Sequence, residues 1–343
     1  MAKPPLFHLK KHLHIFRCPS CLKDDLLVNQ RKSGVVCKDC GQFFPVSDGI
    51  PQFFLPNDWD QDKRRDVTAA VKAFYEETPF PNYEKLETAG DLIAKAERGI
   101  FAHMLNEQVP FNTRILEVGC GTGQLTNFLG IPHRFVFGTD MCLNSLRLAN
   151  GFKVKNSLER VGFYQMNLFR PVFKEESFHL VICNGVLHHT SDPLAGFQSI
   201  ARLVKKGGFI LIGLYNRLGR LITDSRRILF RISHDRWLFL DRRLRAQEVG
   251  QVRKLTWFRD QYQHPHESKH TIGEVLGWFK ENGFEFYSGI PSPTLSDRFN
   301  RDFELFRKHP AGRWPSHLLS QLELMFRGGK EGGFFIMIGR RIN

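Results

Sequence analysis

The stretch Ile115-Leu116-Glu117-Val118-Gly119-Cys120-Gly121-Thr122-Gly123 decides the fold that the sequence predicts. Its apolar part, residues 115–118, is typical of a buried parallel strand. Three glycines at alternate positions follow and predict a tight turn into a helix, because a residue without a Cβ lets the backbone approach a ligand closely. Glu117 stands at the carboxyl end of the strand, where doubly wound sheets bind their ligands.

A second strand supports this interpretation. Residues 134–140, Arg-Phe-Val-Phe-Gly-Thr-Asp, are mostly apolar and end in an acid, Asp140. The two acids are separated by about 20 residues, as a carboxylate that binds a ribose requires. The sequence therefore predicts an adenosine-type cofactor at the carboxyl edge of a parallel sheet.

Residues 116–123, LEVGCGTG, resemble the first motif of the class I S-adenosylmethionine-dependent methyltransferases, with Gly-x-Gly-x-Gly spacing. The resemblance implies an α/β protein with a Rossmann-like, doubly wound, seven-stranded sheet. It also implies that the glycines line the methionine part of the cofactor, that Glu117 orients its amino group through water and that Asp140 binds the ribose hydroxyls. The predicted cofactor contacts are Glu117, Gly119, Cys120, Gly121, Gly123, Asp140, Met141, Asn167, Leu168 and Asn184. A nicotinamide enzyme, or a domain of this shape without activity, is the alternative.

Asn167 departs from the family pattern. It follows a predicted third strand, residues 161–166, at a position where the family commonly has an Asp that holds the adenine amino group. The side-chain carbonyl of Asn can accept the same hydrogen bond, so we expect Asn167 to contact adenine.

Residues 178–189 form the predicted fourth strand and its loop, and they resemble the fourth motif of small-molecule methyltransferases, including those of quinone biosynthesis. The Asn/Asp-Pro-Pro-aromatic signature of base amino-group methylation is absent. No Pro precedes Cys183, as it does in cytosine-C5 enzymes, so Cys183 is predicted to be a buried strand residue. His188 and His189, and Tyr215 at the end of the fifth strand, are the candidate catalytic residues, since a His can accept a proton as a methyl group is transferred. A loop-stabilising role is the alternative for each histidine.

The N-terminal region contains two Cys-x-x-Cys pairs, Cys18 with Cys21 and Cys37 with Cys40. This spacing predicts one tetrahedral Zn²⁺ in a zinc ribbon, and four thiolates leave no open position for a substrate. The predicted zinc is therefore structural, and four cysteines without an ion are the alternative. Residues 43–51, FFPVSDGIP, resemble the small zinc-ribbon proteins that activate tRNA, rRNA and release-factor methyltransferases as separate subunits. The resemblance implies that the ribbon docks on its own catalytic domain.

The chain divides into three predicted parts: a zinc ribbon at 1–55, a linker with N-terminal lid and helices at 56–110, and a methyltransferase domain at 111–343. The lid prediction rests on residues 74–83, where two prolines and four aromatic residues form a stiff loop before the first strand. A surface turn is the alternative. We also predict helices at 90–108, 124–129, 143–149, 194–204, 271–282 and 315–326, a glycine-stopped turn at 205–208, a strand at 209–214, and a last antiparallel pair at 284–287 and 334–339.

Charge sets the expected partners. The net charge is +14, and the insertion at 217–263 holds twelve Arg or Lys against five Asp or Glu, interleaved with apolar residues. This pattern predicts basic amphipathic helices that bind RNA, an anionic membrane surface or an acidic small molecule, with a solvated face as the alternative. No transmembrane run or signal peptide is evident, so a cytoplasmic protein is expected. The preferred acceptor is a small-molecule or lipid-linked hydroxyl or carbon, and RNA methylation and a non-catalytic cofactor sensor are the alternatives. Residues 264–270 are rich in histidine, but loop histidines near the substrate are favoured over a metal site.

Overall fold

The computed structural model describes residues 6–29, 31–59, 66–79, 81, 83, 86–234, 236–241, 244, 251–294, 299–327 and 332–342. Within these ranges the strands are β1 Leu26–Asn29, β2 Gly34–Cys37, β3 Phe43–Ser47, β4 Ile50–Pro51, β5 Arg114–Val118, β6 Phe135–Asp140, β7 Val161–Gln165, β8 Phe178–Asn184, β9 Val204–Tyr215, β10 Phe284–Ile290 and β11 Phe334–Arg341. The helices are α1 Phe7–His12, α2 Thr68–Glu77, α3 Ala89–Arg98, α4 Ile100–Gln108, α5 Gln124–Gly130, α6 Leu143–Lys155, α7 Pro193–Ala201, α8 Leu221–Ile232, α9 Gln251–Tyr262, α10 Ile272–Glu281 and α11 Trp314–Arg327. None of these helices is long and apolar enough to cross a membrane.

The central sheet has seven strands in the order β10-β11-β9-β8-β5-β6-β7. Strands β5 to β9 pair in parallel, and β11 pairs antiparallel with both β9 and β10. This is the predicted α/β fold with its doubly wound sheet and its final antiparallel pair, and both predictions are confirmed. The order reverses beside β5, so the carboxyl ends of β5 and β8 border the crevice in which such sheets bind ligands.

The N-terminal region forms a separate four-stranded antiparallel sheet, β1-β2-β3-β4, in which the four cysteines cluster. This arrangement fits a small zinc ribbon. The ribbon lies against the free edge of β7, where Gln52 bridges in parallel to Gln165 and the Phe53 amide donates to the Gln165 carbonyl at 2.9 Å. Asp48 pairs with Arg147 of α6 at 2.9 Å. The docking of the ribbon that the resemblance implies is therefore present in the structure.

The ribbon and the larger sheet share one hydrophobic core. Phe16 and Phe53, which precede and follow the ribbon strands, are fully buried, and Phe16 lies 4.7 Å from Phe173 and 5.0 Å from Tyr164 between ring centroids. The unpredicted helix α1 covers the same face. A ribbon this small has little core of its own, so this shared packing contributes to its stability.

Three predicted helices differ from the structure, and the one predicted at 143–149 runs on to Lys155. The helix predicted at 90–108 is broken at Gly99, whose extended backbone separates α3 from α4. The helix predicted at 194–204 ends at Ala201, and the turn predicted at 205–208 lies within β9, which begins at Val204. The β8–β9 ladder shifts register there, and Gly207 has φ +75°. The glycines thus lie in a β-bulge. The C-terminus of a helix has a similar sequence, because both structures use a glycine in the left-handed conformation.

Candidate active site at the carboxyl edge of the sheet

One cavity of about 650 Å³ opens at the carboxyl ends of the parallel strands. It brings together all but one of the predicted cofactor-binding and catalytic residues, although they come from distant parts of the chain. The predicted residues that line it are Glu117, Gly119, Cys120, Gly121, Asp140, Met141, Asn167, Leu168, Asn184, His188, His189 and Tyr215. Gly123 is not among the lining residues, because it stands at the N-terminus of α5 and turns the backbone into that helix.

Steric contacts and backbone conformation together require glycine in the loop between β5 and α5. Gly119, Gly121 and Gly123 have φ values of 68°, 52° and 70°, a left-handed conformation that other residues rarely adopt. A Cβ at Gly119 would lie 2.3 Å from a Val186 methyl carbon, and one at Gly123 would lie 2.6 Å from the Phe163 ring. The loop therefore needs glycine both for its conformation and for the close approach of neighbouring side chains.

Two carboxylates flank this loop, of which Glu117 is buried and Asp140 is half-buried. Asp140 accepts hydrogen bonds from the amides of Gly121 and Cys142, each at 2.8 Å, and burial raises its pKa. Glu117 accepts from the Thr126 hydroxyl, and burial raises its pKa to about 7. Neither carboxylate makes an ion pair with a described residue. The cavity thus has a negative lining suited to a cationic ligand.

The segment before the first central strand covers the glycine loop. The Tyr83 hydroxyl donates to the Thr122 carbonyl at 2.8 Å, and its ring stacks on Phe152 at 4.9 Å. The Glu76 carboxylate at the end of α2 accepts from the Leu143 amide at the start of α6, at 2.8 Å. Helix α2 lines the cavity through Val71 and Tyr75. This is the position that a lid requires; residues 80 and 82 of the predicted lid lie outside the described residues.

The two predicted amide contacts differ in their surroundings. The side-chain nitrogen of Asn167 donates to the Leu55 carbonyl at 2.9 Å and to Asn57 at 2.7 Å, while its oxygen accepts from the Phe169 amide at 3.0 Å. Asn167 therefore holds residues 55 and 57 against the cavity wall. One lone pair of its side-chain oxygen is left for a ligand. The side-chain oxygen of Asn184 is buried and has no hydrogen-bond partner among the described residues, so a ligand donor would satisfy it.

The two candidate catalytic histidines are buried and neutral. Burial lowers the pKa of His188 well below its usual value, and its Nδ1 has no partner among the described residues. Burial also lowers the pKa of His189 to about 4. Nδ1 of His189 lies 2.9 Å from the His266 carbonyl, and a carbonyl can only accept, so this nitrogen carries the proton. The lone pair of His189 is consequently on Nε2.

Tyr215 is held by a buried polar network. Its hydroxyl accepts from the side-chain amide of Gln261 at 2.7 Å, and the Arg220 guanidinium lies 3.8 Å from its ring centroid. Arg220 is fully buried and pairs with Glu267, which also pairs with Arg227 at 3.1 Å. The His188 ring lies 4.2 Å from the Tyr215 ring between centroids.

This network corrects one part of the sequence interpretation. Arg220 and Arg227 belong to the basic insertion that was expected to face a ligand or solvent, yet they point inward and pair with Glu267. Residues 235, 242–243 and 245–250 of the insertion lie outside the described residues. Composition alone does not indicate which arginines of the insertion are buried, because buried and solvated arginines are the same residue type in the same basic segment. Cys183 is buried in β8, as predicted.

Among the described residues, the four N-terminal cysteines form a cluster that could hold a metal ion. Their sulfurs all lie within 4.8 Å of one another. The Sγ atoms of Cys18 and Cys40 are 3.7 Å apart, and those of Cys21 and Cys37 are 3.6 Å apart. A tetrahedron with Zn–S bonds of about 2.3 Å has edges of about 3.8 Å. The cluster therefore fits one Zn²⁺ with small adjustment. No such cluster forms at residues 264–270.

Comparisons with known proteins agree with this geometry. Residues 116–212 match the family model described as a methyltransferase domain. This match runs from within β5 to within β9 of the central sheet. The chain is 27% identical over 222 residues to an uncharacterized protein of Synechococcus sp., covering 54% of this chain and 53% of that protein. It is 30% identical over 111 residues to the ubiquinone biosynthesis O-methyltransferase of Haemophilus ducreyi, covering 31% of this chain and 47% of that enzyme.

Among solved structures, PKMT2 from Rickettsia typhi has a TM-score of 0.50 and 12% identity, covering 70% of this chain and 52% of that one. At this identity the likeness concerns the fold alone. The chain spans about half the length of the curated relatives described above.

Proposed function

We propose that the protein transfers a methyl group from S-adenosylmethionine to a hydroxyl or carbon of a small-molecule or lipid-linked acceptor, in the cytoplasm. The observation that carries this proposal is the pair of carboxylates, buried Glu117 and half-buried Asp140, on either side of the glycine loop in one large cavity. When bound, the cofactor supplies an electrophilic methyl group on a sulfonium. Its positive charges complement the two carboxylates, which lack ion-pair partners among the described residues.

The positions of four residues support their proposed cofactor-binding roles. Asp140 is held by two backbone amides at the end of β6, where the ribose hydroxyls of an adenosine can donate to it. Glu117 would orient the amino group of the methionine part. Asn184 would accept a hydrogen bond from the cofactor or the acceptor through its unsatisfied oxygen. Asn167 would use its second oxygen lone pair for the adenine amino group.

His189 is the candidate general base. Its Nε2 carries a lone pair at neutral pH, because its proton is on Nδ1 and its pKa is lowered to about 4. Such a base is weak, so it favours an acceptor whose own hydroxyl is acidic, such as a phenol with a pKa of about 10, over an aliphatic alcohol. His188 and Tyr215 pack beside it and would position the acceptor.

Calorimetry with S-adenosylhomocysteine tests the cofactor site. We expect Asp140→Ala to weaken binding by at least about tenfold, because two or more hydrogen bonds to ribose are lost. The exposed Asp302→Ala is the matched control and should bind like the wild type. Equal affinity of wild type and Asp140→Ala would refute the assignment.

We further propose that Cys18, Cys21, Cys37 and Cys40 hold one structural Zn²⁺, and that the ribbon takes the place of a separate activator subunit. The sulfur spacing and the docking of the ribbon on β7 support this. Four thiolates fit a reducing compartment such as the cytoplasm. Metal analysis should give about one equivalent of zinc in wild type and much less in Cys37→Ser. Less than half an equivalent in wild type purified without chelator would refute the site.

A further inference from the structure

Helix α8 has an apolar side that faces outward. Leu221, Ile228 and Ile232 lie at i, i+7 and i+11, which places them on one side of the helix. Ile228 is 58% exposed and Ile232 is 69% exposed, whereas Thr223 and Phe230 on the opposite side are buried. A surface helix of a globular protein usually has the reverse pattern, so α8 has an unpartnered apolar stripe.

Exposed apolar residues also follow the helix in sequence. A short 3₁₀ turn at Leu238–Leu240 follows, in which Phe239 is 56% exposed, and Trp237 just before it is 45% exposed. Large exposed aromatic residues beside exposed aliphatic residues are typical of segments that lie at a membrane interface. We call this surface the outer face; its members are Leu221, Ile222, Ile228, Ile232, Trp237, Phe239 and Leu240.

Among the described residues of this segment, the exposed charges are positive. Arg217, Arg231 and Arg236 are exposed, and Arg217 lies 4.0 Å from the Glu274 carboxylate. The described carboxylates of the same segment are paired or buried: Asp224 is half-buried and pairs with Lys269 at 2.6 Å, and Asp241 is buried and accepts from the Tyr262 hydroxyl. An apolar stripe with an exposed basic rim complements an anionic lipid surface, which attracts each Arg and accepts the apolar side chains.

We propose that the outer face docks the protein on an anionic membrane surface, so that the active-site cavity receives a lipid-linked acceptor. This inference rests on the proposed function, whose acceptor class it narrows. The outer face is also linked to the site, since Arg220 at the start of α8 contacts the Tyr215 ring. RNA would explain the arginines but not outward-facing Ile228 and Ile232, because phosphate and bases give aliphatic side chains no comparable partner.

Vesicle co-sedimentation of the full chain tests the docking. Vesicles of phosphatidylcholine with equal phosphatidylglycerol should retain the protein, and vesicles of phosphatidylcholine alone should retain much less. Ile228→Ser with Ile232→Ser should weaken binding about tenfold or more, because apolar area is no longer buried. Arg231→Gln should weaken it about fivefold, which corresponds to about 1 kcal/mol per charge near an anionic surface. Val154→Ser, at a 66% exposed valine on α6, is the matched control and should bind like wild type.

Three results would overturn the proposal. One is equal binding of the wild type and the double isoleucine variant. Another is salt-sensitive retention of the protein by RNA on filters with no retention by anionic vesicles, which would assign the surface to RNA. The third is a dimer in sedimentation velocity that the double variant dissociates, which would assign the outer face to a second copy. Unchanged S-adenosylhomocysteine affinity of these variants separates failure of docking from failure of the proposed function.

Discussion

Removing the shared carboxylate of the buried network, in Glu267→Gln, should strongly destabilise the protein. Glu267 is the anion that Arg220 and Arg227 share, and its side chain is 3% exposed. Loss of one partner of a buried ion pair costs about 3–5 kcal/mol, because a buried charge is left without compensation. Gln keeps the size of the side chain and can still accept one hydrogen bond, so we expect about 3 kcal/mol, at the lower end of that range.

Urea unfolding measures this change, and an exposed ion pair provides the control. Glu304 pairs with Arg307 at 2.7 Å, but both side chains are more than half exposed, so Glu304→Gln should cost about 0–1 kcal/mol. The Glu267→Gln protein should also lose affinity or activity at the site, since Arg220 supports the Tyr215 ring. A loss of stability below about 1 kcal/mol for Glu267→Gln would refute the reasoning, because the network would then be no stronger than a surface pair.

The acid dependence of stability gives a second measurement on the same residue. Burial alone would raise the pKa of Glu267, but its hydrogen bonds and charge contacts with Arg220 and Arg227 outweigh burial and lower it. A carboxylate with a lowered folded-state pKa contributes stability above its unfolded pKa of about 4.3, and this contribution is lost as pH falls. Wild type and Glu267→Gln should therefore differ less in stability at pH 3.5 than at pH 7.

Three further predictions concern the site and the N-terminal helix. The pKa of Glu117 is raised to about 7 by burial, so the affinity for S-adenosylhomocysteine should rise between pH 6 and 8 as this carboxyl ionises; calorimetry of Glu117→Gln should show a flat profile, and an unchanged slope would contradict this. Gly119→Ala should weaken cofactor binding at least about tenfold, because its Cβ meets Val186, and Val186→Ala should restore part of the loss; no loss in calorimetry would contradict it. Burial lowers the pKa of His8, so the unfolded chain binds its proton first as pH falls below 6.5; the slope of stability in urea titrations between pH 6.5 and 5 should shrink by about 1.4 kcal/mol per pH unit in His8→Gln, and an unchanged slope would contradict it.

The central sheet was predictable from sequence because its signals are local. The apolar run before Gly119 and the acid at Asp140 are patterns that each involve only a few neighbouring residues. The structure places both at the edge where parallel strands end. The helix predicted at 271–282 is also present, and it begins with a capping box in which Glu274 reaches back to Thr271. Each of these patterns depends on backbone geometry that a short stretch of chain defines by itself.

The polar network behind Tyr215 was not predictable, because it depends on contacts between segments far apart in sequence. Arg220 and Glu267 are separated by 47 residues, and nothing near either residue distinguishes a buried charge from a solvated one. The bulge at Gly207 was missed for a related reason: a left-handed glycine after a cationic stretch is typical of a helix end, and only pairing with β8 shows that the chain has already entered a strand.

The ribbon covers an exposed edge of the seven-stranded sheet. Strand β7 is an edge strand of the seven-stranded sheet, and an uncovered edge invites pairing with other chains. Gln52 and Phe53 pair with Gln165 at that edge, while Phe16 fills the adjacent core beside Tyr164. The cysteine cluster holds the ribbon strands from which these residues extend. A metal in the ribbon would therefore act on the larger sheet through the edge that the ribbon covers.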